Sequence, residues 1–169
     1  MLPLLLVLLP SCAARMAELV PQDLVLERHH AASVRVNVKR DVPPANSTDI
    51  SAQMFSEAVQ ESLRKTQLFA SIALGPEADY TLLVDILNVS MPGAGLDMTS
   101  TFLARWQVTR AGAEKPVFEE FLETSHTATT GDAFAGGNRA RMAIEQAARE
   151  NIAEGLRRIS ALESLAPTP

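Results

Sequence analysis

The chain has 169 residues, of which 47% are hydrophobic and 21% are charged, and its formal net charge is −5. This composition is typical of one folded domain of ordinary size. Its acidic and basic residues are interspersed, so no clustered basic face indicates a nucleic-acid partner. Its single cysteine, Cys12, excludes an intramolecular disulfide and leaves the redox compartment open.

The first twelve residues contain an apolar run that is broken only by Pro3 and is followed by Ser11 and Cys12. The segment Leu9-Pro10-Ser11-Cys12 resembles the lipobox of bacterial lipoproteins, in which a leucine, an apolar or small residue and a small residue precede the cysteine. The resemblance implies that residues 1–11 are a signal peptide and that Cys12 becomes the lipidated first residue of the mature chain. An incidental cysteine after an ordinary apolar segment is the alternative.

The apolar run is too short for a transmembrane helix, which needs about 20 residues. Its length is at the lower limit for the apolar core of a secretory signal, which has about 7–15 residues. No Lys or Arg precedes it, and a start assigned too far downstream would explain both features. In enteric lipoproteins an Asp after the cysteine is the usual inner-membrane retention mark. Here Ala13 follows, so the resemblance implies the periplasmic side of the outer membrane.

The next part of the chain predicts one strand, one helix and a second strand. Residues 12–32 show little periodicity and are predicted to be a tether. Valines at every second position predict a strand over 33–39. A helix is expected over 49–66, because its apolar residues recur at spacings of three and four after capping oxygens at 47–49. An apolar run over 67–74 predicts the next strand.

Three further strands and a long helix complete the predicted elements. The strand over 79–90 is apolar on both faces for part of its length, and the strand over 97–109 has the cleanest alternation. In the strand over 117–128 a phase change near Glu119-Glu120 suggests a bulge. A helix over 139–162 carries a single apolar stripe.

This order, β-α-β-β-β-β-α, predicts an α+β sandwich of two layers, with two helices on one face of a mostly antiparallel sheet of about five strands. The first strand is joined through a helix and can pair in parallel. Residues 33–163 are predicted to be a single domain and 164–169 a disordered tail. The predicted core consists of Val36, Phe55, Val59, Leu63, Leu82, Val84, Phe102, Trp106, Ile152 and Leu156.

Three sequence segments resemble small Gram-negative outer-membrane lipoproteins. They are Phe55-x-x-Ala58-Val59-x-x-Ser62-Leu63 with Leu68-Phe69, then Ala78-Asp79-Tyr80-x-Leu82-x-Val84, and the closing helix Ala140-Arg-x-Ala-x-Glu-x-Ala-Ala-Arg-x-Asn151-Ile152. The pattern is similar to the lipopolysaccharide-assembly, YajG-type and penicillin-binding-protein-activator lipoproteins. The resemblance implies a binding or assembly partner rather than an enzyme.

The residues that could carry chemistry are few. The sequence has three histidines, His29, His30 and His126. The adjacent His29 and His30 could bind a metal weakly, but a site needs three or four ligands, and no cysteine is available once Cys12 is lipidated. The glycine-rich stretch 131–138 before the last helix lacks the Gly-Lys-Ser/Thr ending of a phosphate loop. No Gly-x-Ser-x-Gly or Ser-x-x-Lys motif marks a nucleophile. We therefore predict no catalytic residue, no cofactor and no metal.

Four residues are predicted to contact a partner. Met91 and Leu96 flank a glycine-containing connection, and they either fold back onto the end of the sheet or form an apolar tip. Arg139 and Arg141 either pack their stems on the sheet or recognise an anion such as a sugar phosphate or a peptidoglycan carboxylate. Asp85 is expected to face water.

The sequence thus favours a membrane-anchored, non-catalytic binding or assembly module of the cell envelope, held by lipid on Cys12. An envelope protein, a glycan or a lipid would be its partner. An envelope hydrolase or transferase that acts on glycan or lipid substrates is the alternative, and the oligomeric state is open.

Overall fold

The computed structural model describes residues 12–41, 43–44, 49–163 and 165–167, and only the backbone of residues 12–15. The elements in chain order are α1 (Cys12–Leu19), β1 (His30–Lys39), α2 (Ala52–Thr66), β2 (Phe69–Ile72), β3 (Tyr80–Val89), β4 (Met98–Arg110), β5 (Phe118–Ala128) and α3 (Gly136–Ser160). The predicted α+β class is confirmed, with α1 as an additional helix.

The five strands form one mixed sheet in the order β2-β1-β3-β4-β5. β1 pairs in parallel with β2 and β3, whereas β3, β4 and β5 are joined by antiparallel pairing. The parallel pairs follow from the connection through α2, because parallel neighbours need a crossover rather than a hairpin. β2 and β5 are therefore the two edge strands.

Helix α2 begins later than the sequence suggested. Its N-cap is Ser51, whose Oγ accepts a hydrogen bond of 3.1 Å from the Met54 N–H. Asp49, which was predicted to be among the capping residues, is instead buried and forms an ion pair of 2.8 Å with Arg40. The predicted capping oxygens at residues 47 and 48 lie outside the described residues.

The core lies between the sheet and α2 and α3. Trp106 is fully buried, and its Nε1–H donates to Asn151 Oδ1 at 2.9 Å. The Asn151 amide nitrogen donates in turn to the Leu122 carbonyl at 2.9 Å. One side chain of α3 thus ties this helix to β4 and β5. Every predicted core residue is buried except Val36, which is partly buried because Val34 occupies the more central position of β1.

The helices occupy a single layer, because α1 packs on α2 and α3. Among the described residues, no helix covers the opposite face of the sheet, which we call the open face. Asp85 lies on this face but is buried rather than exposed to water, because Arg105 on the neighbouring strand covers it with an ion pair of 2.9 Å. The expectation that Asp85 faces water is therefore wrong.

The predicted bulge in β5 is also wrong. The β4–β5 register runs without interruption from Met98↔Ala128 to Val108↔Phe118. The apparent phase change arises because Glu120 lies on the helix side, where its carboxylate reaches Arg158 at 3.8 Å. The irregularity occurs in β3 instead, between Ile86 and Asn88.

The segments predicted to be a tether and a tail both contact the domain. Within 12–32, α1 ends with the fully buried Leu19, and the Glu18 carboxylate pairs with Arg149 at 3.0 Å. Within 164–169, Leu165 packs against the core and its N–H donates to His30 Nδ1 at 3.3 Å. Apolar side chains outside 33–163 therefore contribute to the same core as the domain itself.

Candidate functional site

The proposed lipid attachment site lies at the first residue of α1. The signal peptide 1–11 falls outside the described residues, and only the backbone of Cys12 is described. The helix that starts at Cys12 reaches the core within two turns, since Leu19 is fully buried. A lipid on this cysteine would hold the folded domain close to the bilayer rather than at the end of a long linker. Within the described ranges, no helix is both long and apolar enough to cross a membrane.

Two loops at one end of the sheet expose large apolar side chains. The β3–β4 connection exposes 38% of Met91 and 76% of Leu96, and the loop between β5 and α3 exposes 99% of Phe134. Both loops leave the same end, because β3 and β5 run in the same direction. We call Met91, Leu96 and Phe134 the apolar tip. Sequence reasoning identified the first two residues and missed Phe134, although a phenylalanine among Gly, Ala, Asp and Thr in a loop was a usable signal.

Arg139 holds the two tip loops together. Its Nη1 donates to the Ala133 carbonyl at 2.8 Å and to the Phe134 carbonyl at 2.6 Å, and its Nη2 donates to the Gly95 carbonyl at 3.3 Å. The side chain is buried, and within this guanidinium only Nε has no hydrogen-bond partner among the described residues. The guanidinium is therefore occupied within the chain, and its geometry fits a positioning residue for the tip.

The second predicted arginine, Arg141, lies two residues further along α3 and is half-buried. Both arginines lie in the first turns of α3, but it is Arg139 whose hydrogen bonds connect the two tip loops. The N-cap residue Ala135 makes no side-chain hydrogen bond to the start of α3, and Arg139 donates to the loop before the helix instead. Of the four predicted contact residues, the structure thus brings Met91, Leu96 and Arg139 to one end of the molecule.

The histidines have separate roles. Nε2 of the buried His30 is 3.0 Å from the Ile159 carbonyl and must donate to it, so that Nδ1 accepts from Leu165. Burial lowers the pKa of His30 below its ordinary value of 6.5, against the opposing effect of the Ile159 carbonyl. His29 Nδ1 bonds the Gln67 carbonyl at 2.9 Å, and His126 Nδ1 lies 3.1 Å from Glu150. Among the described residues, no three His, Cys, Asp or Glu side chains are grouped to hold a metal.

Two open grooves follow the edges of the sheet. One, of about 480 Å³, lies beside β2 and is lined by His29, Arg64 and Phe69 among others. The other, of about 530 Å³, lies between the free edge of β5 and α3 and is lined by Phe121, Glu150 and Arg157 among others. Neither groove includes a residue of the apolar tip.

Comparisons with known proteins identify the fold. No family model matches the chain, and no curated protein matches it in sequence. A DUF330 protein from Xanthomonas campestris is similar in structure, with a TM-score of 0.62 and 12% identity over 83% of this chain and 90% of that one. The PelC dodecamer from Paraburkholderia phytofirmans gives a TM-score of 0.52 and 11% identity over 83% of this chain and 93% of that one.

A minor lipoprotein from Acinetobacter baumannii is also similar, with a TM-score of 0.50 and 9% identity over 76% of this chain and 92% of that one. In all three cases nearly the whole of the other chain is matched, so the shared unit is the complete α+β domain. At identities this low, the similarity shows a shared fold and nothing further.

Proposed function

We propose that the protein is a lipid-anchored, non-catalytic module of the bacterial cell envelope. The observation that carries this proposal is the segment Leu9-Pro10-Ser11-Cys12, which places the only cysteine of the chain at the position of the acylated residue in a lipobox. Two findings support it: helix α1, which starts at Cys12, packs on the core through Met16 and Leu19, and the same fold occurs in a minor lipoprotein from Acinetobacter baumannii.

We place the anchor in the outer membrane, on its periplasmic side. Ala13, rather than Asp, follows the cysteine. The resemblance to the lipopolysaccharide-assembly, YajG-type and penicillin-binding-protein-activator lipoproteins favours an assembly or binding role within that membrane. The apolar tip is the surface that we assign to this role.

The tip has the features of a docking surface for an envelope protein. Exposed apolar side chains on two adjacent loops form the kind of patch that marks such sites, and methionine adapts readily to a partner surface. Arg139 fixes the spacing of the loops, which lowers the ordering cost of binding. The glycines at 93 and 95 leave the Met91–Leu96 connection short of bulky side chains, so Met91 and Leu96 are its large apolar contacts.

The anchor is tested by substituting Cys12→Ser in the full-length chain. The wild-type protein should partition into the detergent phase and sediment with membranes. The variant should be released into the soluble fraction or remain with its leader uncleaved. Membrane association of a cleaved variant equal to that of the wild type would contradict the proposal.

The tip is tested by the pair Met91→Ser with Leu96→Ser, and separately by Phe134→Ser. Crosslinking in cells should lose the partner band in both cases, while the thermal midpoint of the purified protein stays close to that of the wild type. Leu74→Ser is the control, because Leu74 is also a large exposed hydrophobic residue, 91% exposed, but lies at the other end of the sheet, before β3. Reduced stability with unchanged crosslinking would show that the tip residues serve the fold.

A further inference from the structure

The open face of the sheet has charges of opposite sign along its two sides. β1 presents Arg35 and Lys39, and β5 presents Glu119 and Glu123. These four side chains lie on the open face because directly paired residues share a face of the sheet. Their cross-strand partners are on β3 and β4 and alternate along those strands with residues that pack on the helices: Thr81, Asp85, Gln107 and Leu103. The β1 side is therefore basic and the β5 side is acidic, and three strand spacings of about 4.8 Å separate them.

The centre of the open face is apolar around one ion pair. Leu83 and Leu103 are partly exposed there, and Phe121 on β5 is 63% exposed. Between them Asp85 pairs with Arg105, yet Asp85 Oδ1 and Arg105 Nε have no hydrogen-bond partner among the described residues although both atoms are buried. One buried acceptor and one buried donor of this ion pair thus remain without a partner within the described part of the chain.

We propose that two copies of this chain associate through their open faces, about a two-fold axis that runs parallel to the strands between β3 and β4. Such an axis places β1 of one copy over β5 of the other, and β3 over β4. The basic side then faces the acidic side twice, so the face is complementary to itself, as an isologous interface requires.

The register of the sheet aligns the individual groups. Lys39, Asp85, Arg105 and Phe121 form one cross-strand row. After the two-fold rotation, Asp85 of one copy faces Arg105 of the second copy, so the two ion pairs lie over each other with opposite charges facing. Lys39 comes to lie over Phe121 of the second copy, between its Glu119 and Glu123.

The size of the open face fits a stable dimer. The proposed axis superimposes four strands, β1, β3, β4 and β5, and leaves β2 outside the contact. Four strands at about 4.8 Å, and about eight residues at about 3.3 Å each, give a flat area of roughly 500 Å². Because side chains project from the sheet, the accessible area of this face is larger than the flat area. It approaches the area that each partner buries in a standard interface, about 800 Å². Aligned sheets pack about 10 Å apart, which leaves room for the long Lys39 and Arg35 side chains to reach the facing carboxylates. The pairing is independent of whether Cys12 carries lipid.

Sedimentation equilibrium of the full-length chain in a density-matched detergent tests the association, because the detergent then adds no buoyant mass. The wild type should show twice the chain mass of 18.2 kDa. Glu119→Lys with Glu123→Lys makes both sides of the face basic, and Arg35→Glu with Lys39→Glu makes both acidic. Each of these variants should be monomeric alone, and an equimolar mixture of the two should recover the dimer mass.

The mixture also controls for folding, because only folded partners can restore the dimer. Phe121→Lys provides a second route to the monomer, since it would place a like charge opposite Lys39. Lys65→Glu with Glu114→Lys is the matched control: both residues are exposed, and they lie on α2 and in the β4–β5 loop. This control should remain dimeric. A monomeric wild type, a mixture that stays monomeric, or an assembly that the charge reversals leave intact would each overturn the proposal.

Discussion

Gly155 in the middle of α3 is the position where the packing of this fold is tightest. A Cβ atom added there would lie 2.7–2.8 Å from three ring atoms of Trp106. The indole cannot move aside easily, because it is fully buried, donates to Asn151 and makes an edge contact with Phe55 at a centroid distance of 6.3 Å. We therefore predict that Gly155→Ala destabilises the protein.

Two opposing effects set the size of this loss. Replacing a glycine by alanine within a helix is worth roughly 0.5–1 kcal/mol in favour of the folded state. Forcing an extra methyl into a packed core typically costs about 1–3 kcal/mol. The clash is the larger effect, so the free energy of unfolding should fall by about 0.5–2 kcal/mol. For a domain of this size, the thermal midpoint should drop by about 1–8 °C.

Urea and thermal unfolding followed by circular dichroism measure the effect. Gly137→Ala is the control, because Gly137 lies in the first turn of the same helix and an added Cβ meets nothing within 4 Å. Only the gain in helix propensity applies there, so this variant should be as stable as the wild type or slightly more stable. If Gly155→Ala is stabilised as much as Gly137→Ala, the close packing of α3 on Trp106 is refuted.

Two further predictions concern buried polar groups. Asn151→Ala should lower the free energy of unfolding by about 1–3 kcal/mol or more, because the Trp106 N–H is left buried without an acceptor. Urea titrations measure this loss, and an unchanged urea midpoint would contradict the prediction. His30 binds its proton less readily in the folded chain than in the unfolded one, so stability should fall as the pH decreases below its ordinary pKa of 6.5. Thermal melts at successive pH values check this, and a His30→Gln variant that loses as much stability on acidification as the wild type would refute it.

Local periodicity was sufficient to predict most of the fold. The alternation of β4 and the stripe of α3 predicted which residues meet at the core, and Trp106 and Ile152 are buried as expected. Helix α1 was missed because it has only eight residues and depends on distant partners, such as the Glu18–Arg149 pair, which spans 131 positions. In β5, the charge of Glu120 was misread as a change of face.

The candidate site was predictable in its apolar part only. The exposed Met91 and Leu96 could be recognised from a connection that lacks polar side chains. The position of Arg139 could not, because its acceptors are backbone carbonyls, one of them 44 residues away. The opposite charges on the two sides of the open face depend on the order of the strands, which the hydrophobic pattern does not specify.

The proposed lipid anchor on Cys12 is tested most directly by the chemical state of the N-terminus. Mass spectrometry of the N-terminal peptide, from protein purified out of membranes of a Gram-negative host, measures this state. We predict a chain that begins at Cys12 and carries a diacylglyceryl group on the sulfur. An unmodified Cys12 that is still preceded by residues 1–11 in the membrane-associated protein would contradict the account.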